Sequence, residues 1–163
     1  NRERYMDRVA MIRERVPDVA LTTDIIVGFP GETDADFEET LEVAEEVGYD
    51  GAFTFVFSPR RGTLAAELEG ALPHPVKKER MERLVEVVQR RAKERSQRFV
   101  GRDVEVLVEG PSRTDPTRLQ GRSRQNKAVN FEGTAAPGDF VDVEVASATS
   151  QTLLGTERLL SRV

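Results

Sequence analysis

The sequence has 163 residues, enough for one ordinary domain or two small ones. Charged residues make up 33% and hydrophobic ones 38%, and no apolar run approaches the roughly 20 residues needed to span a bilayer. There is no Cys and only one His, so the chain itself offers no disulfide framework, no zinc knuckle and no thiolate set for an iron–sulfur cluster.

No basic-then-apolar signal segment opens the chain, and a cytoplasmic location is the expectation. The first residues, NRERYMDRV, are already in helical rhythm, as in a segment cut from a longer protein. The net charge of −5 hides an asymmetry. Residues 1–75 carry 7 Lys/Arg against 16 Asp/Glu, whereas residues 76–98 carry 9 against 4. Residues 113–130 hold five basic groups, with Asp115 as their only acid. Local positive patches of this kind govern polyanion binding more than the total charge does.

Residues 2–16 read as a helix, with Tyr5, Val9, Ile12 and Val16 at helical spacing and Pro17 as its stop. Residues 20–27 read as a strand that breaks into Gly28-Phe29-Pro30-Gly31. Thr33 is placed to cap a second helix, with Asp36 near its first-turn amides, Phe37, Leu41 and Ala44 on its inner face, and Gly48 at its end. Residues 52–57 form a near-continuous apolar run, as expected for a strand covered on both faces. Together these are a β–α–β unit, for which a right-handed crossover is expected. Pro59, Gly62, Pro73 and Pro75 mark a loop that includes His74. A long helix then runs from about Val76 to Arg98, with Met81, Leu84, Val85, Val88 and Ala92 as its buried stripe.

After Phe99 the rhythm turns from helical to alternating. Residues 103–110, 117–123, 127–133, 139–147 and 151–159 are five strand candidates with turn residues between them, the pattern of a small barrel. Val141, Val143 and Val145 should face its core, with Asp142 and Glu144 outward. The expected organisation is an α/β part, residues 1–98, and an all-β barrel, residues 99–163.

Loops at the carboxyl ends of parallel strands are where α/β layers hold ligands. The Gly28–Thr33 loop lacks the glycine spacing and Lys-Ser/Thr of phosphate loops, and Asp24 and Glu32 would disfavour phosphate. It offers exposed backbone able to bond a base edge or a ribose, or else it is simply a tight turn. In Phe57-Ser58-Pro59-Arg60-Arg61 the ring could cover an adenine, the hydroxyl could bond a ribose, and an Arg could meet an anion. The acid-rich second helix (Glu38, Glu39, Glu42, Glu45, Glu46) reads as a solvated face. In residues 121–133 the cations Arg122, Arg124 and Lys127 stand beside Gln125, Asn126 and Asn130. This is the chemistry that grips phosphates and reads unpaired bases, with the cations outside and Phe131 assigned to the core.

Three stretches together resemble the radical-SAM methylthiotransferases: TTDIIVGFPGET-x-x-DF-x-ET, then AFTFVFSPRRGT, then GRSRQNKAVNFEG with PGDFVDVEV. They span most of the chain, and GRSRQNKAVNFEG with PGDFVDVEV is similar to a TRAM domain, a small RNA-binding barrel appended to these enzymes. The pattern GR-x-R-x-N-x-x-V-x-F favours the tRNA-modifying branch over the ribosomal-protein one. The resemblance implies that residues 1–98 are the end of a partial, TIM-like radical-SAM barrel and residues 99–163 the TRAM domain. It implies part of an S-adenosylmethionine site at Ile26, Val27, Gly28, Phe57, Ser58 and Pro59, and RNA contacts at Arg113, Arg118, Arg122, Arg124, Asn126 and Lys127. The family's two iron–sulfur clusters would be held by cysteines outside this sequence. The implied activity is methylthiolation of a tRNA adenosine beside the anticodon, with this segment inactive alone. The implied partners are tRNA and the amino-terminal remainder of the same enzyme, with no membrane.

Two other classes stay open at this level. A stand-alone RNA-binding adaptor would have to tolerate two parallel strands with an exposed edge and a thin core. An iron-free methyltransferase would lack the glycine-rich loop expected after its first strand.

Overall fold

The computed structural model describes residues 1–158, so Leu159, at the end of the fifth strand candidate, lies outside the described residues. The chain divides into two compact units: Asn1–Pro17 with Leu21–Arg91, and Asp18–Ala20 with the chain from Ala92 onward.

The first unit runs α1 (Arg2–Arg15), β1 (Thr22–Val27), α2 (Asp34–Val47), β2 (Gly51–Val56), a 3-10 turn (Leu64–Ala66) and α3 (His74–Ser96), whose last residues belong to the second unit. Strands β1 and β2 pair in parallel, Thr22 opposite Gly51 through Val27 opposite Val56. Helix α2 starts where the sequence provides a capping box. The Thr33 hydroxyl accepts from the Asp36 amide at 3.2 Å, and the Asp36 carboxylate accepts from the Thr33 amide at 2.9 Å. It ends at Gly48, whose left-handed backbone lets its amide bond the Ala44 carbonyl. Phe37, Leu41, Ala44 and Val47 of α2 pack with Val9, Val27, Tyr49, Leu84 and Val88 into one core.

Two expectations fail in this unit and a third gains detail. Strand β2 is not covered on both faces. Ile26, Phe53 and Phe55 alternate onto the face opposite the core and are 54%, 70% and 50% exposed, because the unit's helix-borne core lies on the other side of its two strands. His74 is not in a loop but is the first residue of α3. Pro75 follows it in the first turn, where a missing N–H costs nothing and the fixed φ suits the helix. The acidic face of α2 is solvent-exposed but not merely solvated, since Arg83 grips Glu38, Arg90 grips Glu45, and Arg2 bridges Glu42 and Glu46.

The second unit is a closed barrel of β3 (Asp103–Pro111), β4 (Leu119–Ser123), β5 (Ala128–Glu132), β6 (Phe140–Ala148) and β7 (Thr152–Glu157), in the order β3-β4-β5-β7-β6. All pairs are antiparallel except β5 with β7. Alternation does what the sequence suggests: Val104, Val106, Val108, Val129, Phe131, Val143, Val145 and Leu153 fill the interior, and Asp142 and Glu144 point out. Phe99, on a 3-10 turn after α3, plugs the same core. Register shifts at Val108/Gly110 and Val145/Ser147 let these strands bend around the small barrel. At Gly121 and Gly155 a Cβ would lie 2.3 and 2.2 Å from the Leu107 and Glu144 carbonyl oxygens, so only glycine allows the close strand approach there.

Candidate functional site

The two strand-end loops lie side by side because β1 and β2 are hydrogen-bonded neighbours, and that pairing extends one step, with the Phe57 amide donating to the Val27 carbonyl at 2.8 Å. Phe29 and Phe57 meet edge to face at 4.9 Å between ring centroids. Lys77, in the first turns of α3, places Nζ 5.6 Å from the Phe57 ring centroid and donates to the Phe57 carbonyl at 3.4 Å. Its stem covers Gly28. A Cβ there would sit 2.7 Å from the Lys77 Cγ, and the φ of +75° already excludes most other residues.

Of the six expected cofactor residues, four present accessible surface: Ile26, Phe57, Ser58 and Pro59. The Val27 side chain is fully buried and its carbonyl is engaged by Phe57. The Gly28 amide donates to the Glu32 carboxylate at 2.8 Å, so the exposed backbone read from the sequence is not free at this position. The available surface is apolar with one hydroxyl, which fits the uncharged face of an adenosine group better than a phosphate.

The residue that sequence reasoning missed is Arg80. It is only 2% exposed. Its Nη1 donates to the Glu32 carboxylate at 2.5 Å and to the Glu32 carbonyl at 3.1 Å, and its Nη2 donates to Asp34 at 2.6 Å. The guanidinium also lies over the Phe37 ring at 5.3 Å. Burial works against its charge, but the hydrogen bonds to Glu32 and Asp34 outweigh it, and the group is held above its ordinary pKa. Glu32 is therefore charge-compensated, contrary to its reading as a phosphate-repelling acid.

On the barrel, the turn from Ser123 to Lys127 joins β4 to β5, closed by the Asn126 amide on the Ser123 carbonyl at 2.8 Å. Asn126 is exposed and is the one non-glycine with positive φ (58°) among the described residues, a conformation Asn tolerates better than most. Arg122 donates to the Asn126 carbonyl at 3.3 Å and pairs with Glu109 at 3.5 Å. Arg124 is held at 2.8 Å by Glu105, whose hydrogen bond raises its pKa further. Arg118 meets Asp115 at 3.4 Å and Glu132 at 3.1 Å. Arg113 is exposed, with no carboxylate within ion-pair distance among the described residues. Exposed pairs of this kind are weak and exchangeable, so these arginines remain available to a polyanion.

Lys127 does not join them. It is 6% exposed, and its Nζ donates to the Ser96 hydroxyl at 2.9 Å and the Ser150 carbonyl at 3.3 Å. Contrary to the expectation, it is not outside with the other cations. It ties the start of β5 to the end of α3 and to the β6–β7 turn, all within the second unit. Phe131 is in the core as expected. Among the described residues no cluster of three His, Asp or Glu side chains could hold a metal ion, and no helix is long and apolar enough to cross a membrane.

Comparison with known proteins gives a consistent assignment. Residues 97–156 match the family model of the TRAM domain. The chain is 50% identical over 155 residues to the tRNA-2-methylthio-N(6)-dimethylallyladenosine synthase of Moorella thermoacetica, a match covering 94% of this chain and 35% of that protein. Proteins of the same name from Clostridium botulinum (50% over 158 residues; 96% and 35% covered) and Acetivibrio thermocellus (49% over 156 residues; 95% and 32% covered) are similar to it in the same way. The chain thus spans about a third of the length of the curated relatives it matches.

Proposed function

We propose, from the premise that residues 97–156 are a TRAM domain and that nearly the whole chain is homologous to tRNA-2-methylthio-N(6)-dimethylallyladenosine synthases, that this chain is the carboxyl-terminal portion of such an enzyme. The reaction is radical-SAM methylthiolation of a tRNA adenosine beside the anticodon, carried out in the cytoplasm. S-adenosylmethionine, when bound, supplies the radical chemistry together with two iron–sulfur clusters. The thiolates for those clusters come from the rest of the enzyme, since this chain has no Cys.

One structural observation carries the division of labour. The β1–β2 sheet stops after two strands and leaves Ile26, Phe53 and Phe55 exposed, as a sheet does when its continuation is supplied by another part of the protein. In this reading the first unit is the end of the α/β barrel and the second unit, which holds residues 97–156, is the RNA-binding module. Ile26, Phe57, Ser58 and Pro59 line part of the cofactor site, with Val27 and Gly28 shaping it from beneath. On the barrel, Arg113, Arg118, Arg122 and Arg124 track phosphates, and Asn126 reads a base edge or a 2′-hydroxyl.

The test is tRNA binding by this chain as a function of salt. Arg122→Gln with Arg124→Gln should weaken binding and reduce the log–log salt slope by about 1.5 to 2, each arginine neutralising one phosphate. Asn126→Ala should weaken binding without changing the slope. Unchanged affinity and slope in the double variant would reject this surface as an RNA site. Release of 5′-deoxyadenosine from S-adenosylmethionine by this chain alone would overturn the assignment of the radical centre to the remainder of the enzyme.

A further inference from the structure

We infer that Arg80 is the positioning residue of the Gly28–Glu32 loop, acting through the Glu32 carboxylate to set the β1 strand end for its ligand. The inference rests on reading that strand end as part of the cofactor site. Its evidence is the geometry of the loop itself.

Three backbone groups define the loop. The Gly28 amide donates to the Glu32 Oε2 at 2.8 Å, the Glu32 amide to the Phe29 carbonyl at 3.0 Å, and the Gly31 amide to the Gly70 carbonyl at 3.0 Å. The first of these depends on a carboxylate whose side chain is only 11% exposed. A carboxylate in that position is costly unless a cation meets it. Arg80 is that cation, and it is more than a counter-charge. One nitrogen holds both the side-chain oxygen and the main-chain carbonyl of Glu32, so it fixes the rotamer and the peptide plane together. The other nitrogen reaches Asp34 on the first turn of α2. The guanidinium therefore ties the loop to the helix that follows it, from a third element 48 residues away in sequence. A lysine has one compact ammonium and cannot reproduce the fork.

The loop needs this external hold because Gly28 and Gly31 both have positive φ and little intrinsic preference for one conformation. Lys77, one turn earlier on α3, performs the matching task on the neighbouring loop by bonding the Phe57 carbonyl. The first turns of α3 thus present two cations that fasten both strand ends.

The test uses amide hydrogen exchange on this chain, followed by S-adenosylmethionine binding to the intact protein measured by equilibrium dialysis. Arg80→Gln should speed exchange at the Gly28 amide by about tenfold or more while Val106, Val129 and Val143 in the barrel stay protected. Arg80→Lys should restore little of the protection. If Arg80→Gln does not fold, Glu32→Gln serves instead, since it keeps an acceptor for Gly28 but removes the charge that Arg80 grips. It too should loosen the Gly28 amide. In the doubly substituted protein the effects should be less than additive, because both act through one ion pair. Unchanged Gly28 exchange in the folded variants, or full rescue by lysine, overturns the inference. In the intact protein, affinity for S-adenosylmethionine should fall in Arg80→Lys by the factor by which the closed fraction of the loop falls, a loss that becomes measurable once the Gly28 amide is largely unprotected. Unaltered affinity in a variant whose Gly28 amide has lost its protection overturns the link to the ligand. Absence of binding by the parent protein would instead count against the cofactor site itself, leaving the exchange result to stand on its own.

Discussion

Each of the barrel's five strands has two partners, whereas β1 and β2 have one each. The consequence is visible in where the large apolar side chains go. Phe131, Phe99 and Leu153 are fully buried in the closed sheet, while Phe53 and Phe55 stand in solvent on the open one. Both sets of residues are equally hydrophobic. What separates them is closure, which removes every edge and gives the inner face a shared interior. A two-stranded sheet has no such interior of its own and can bury only the face that its helices cover.

The largest effect that could break this contrast is a pair of truncations. Phe131→Ala should cost about 3 to 5 kcal/mol in the urea unfolding of the second unit. Phe53→Ala, at 70% exposure, should stay within about 0.5 kcal/mol in the first. Comparable losses in the two variants would mean that the β2 face is covered after all.

A smaller effect sharpens the argument about closure. Gly155→Ala must push a methyl against the Glu144 carbonyl oxygen and should destabilise the barrel by about 1 to 3 kcal/mol in the same unfolding measurement. Stability equal to the parent would mean that β6 and β7 can separate freely.

The smallest concerns the first unit alone. Thr33→Ala should cost about 1 kcal/mol, read from the thermal unfolding of α2. The same cap has a pH signature. Hydrogen bonds from the Thr33 hydroxyl and then from its backbone lower the Asp36 pKa below its ordinary value near 3.8. A depressed carboxylate contributes stability above its unfolded pKa and loses it as pH falls through the folded one. Protection of the first amides of α2, measured against their intrinsic exchange rates, should therefore fall on acidification below about pH 4 in the parent, and should show no such step in Asp36→Asn. A step that persists in Asp36→Asn would assign it to another acid.

The features that depend on neighbours in sequence were legible. Val104, Val106 and Val108, like Val143 and Val145, alternate as a one-sided strand must, and Thr33-x-x-Asp36 and Gly48 mark helix ends by local chemistry. The features that depend on distant partners were not. An apolar run such as Ala52 to Phe57 reads the same whether its cover is present or supplied elsewhere. Lys127 sits in a run of exposed cations, and only the fold brings Ser96 and Ser150 to its ammonium. Arg80 is one of nine basic residues between 76 and 98, and nothing local distinguishes it from its solvated neighbours. The signal that could have found it was the pairing of an acid in a glycine-rich strand-end loop with an amphipathic basic helix downstream. The strand-end loops and the β4–β5 turn stood out as segments, but which of their side chains face solvent and which hold the segment in place is decided by the fold.

The position of β7 between β5 and β6 has a consequence for how the barrel comes into being. During synthesis β3 to β6 can emerge and pair as far as they go, but the ring stays broken until the last strand arrives to bridge the gap. Until then two bare edges are available to any passing chain, and the interior around Val145 and Phe131 is uncovered on that side. A ribosome that stalls or a protease that cuts ahead of Thr152 would therefore leave a sticky intermediate rather than a slightly shorter domain.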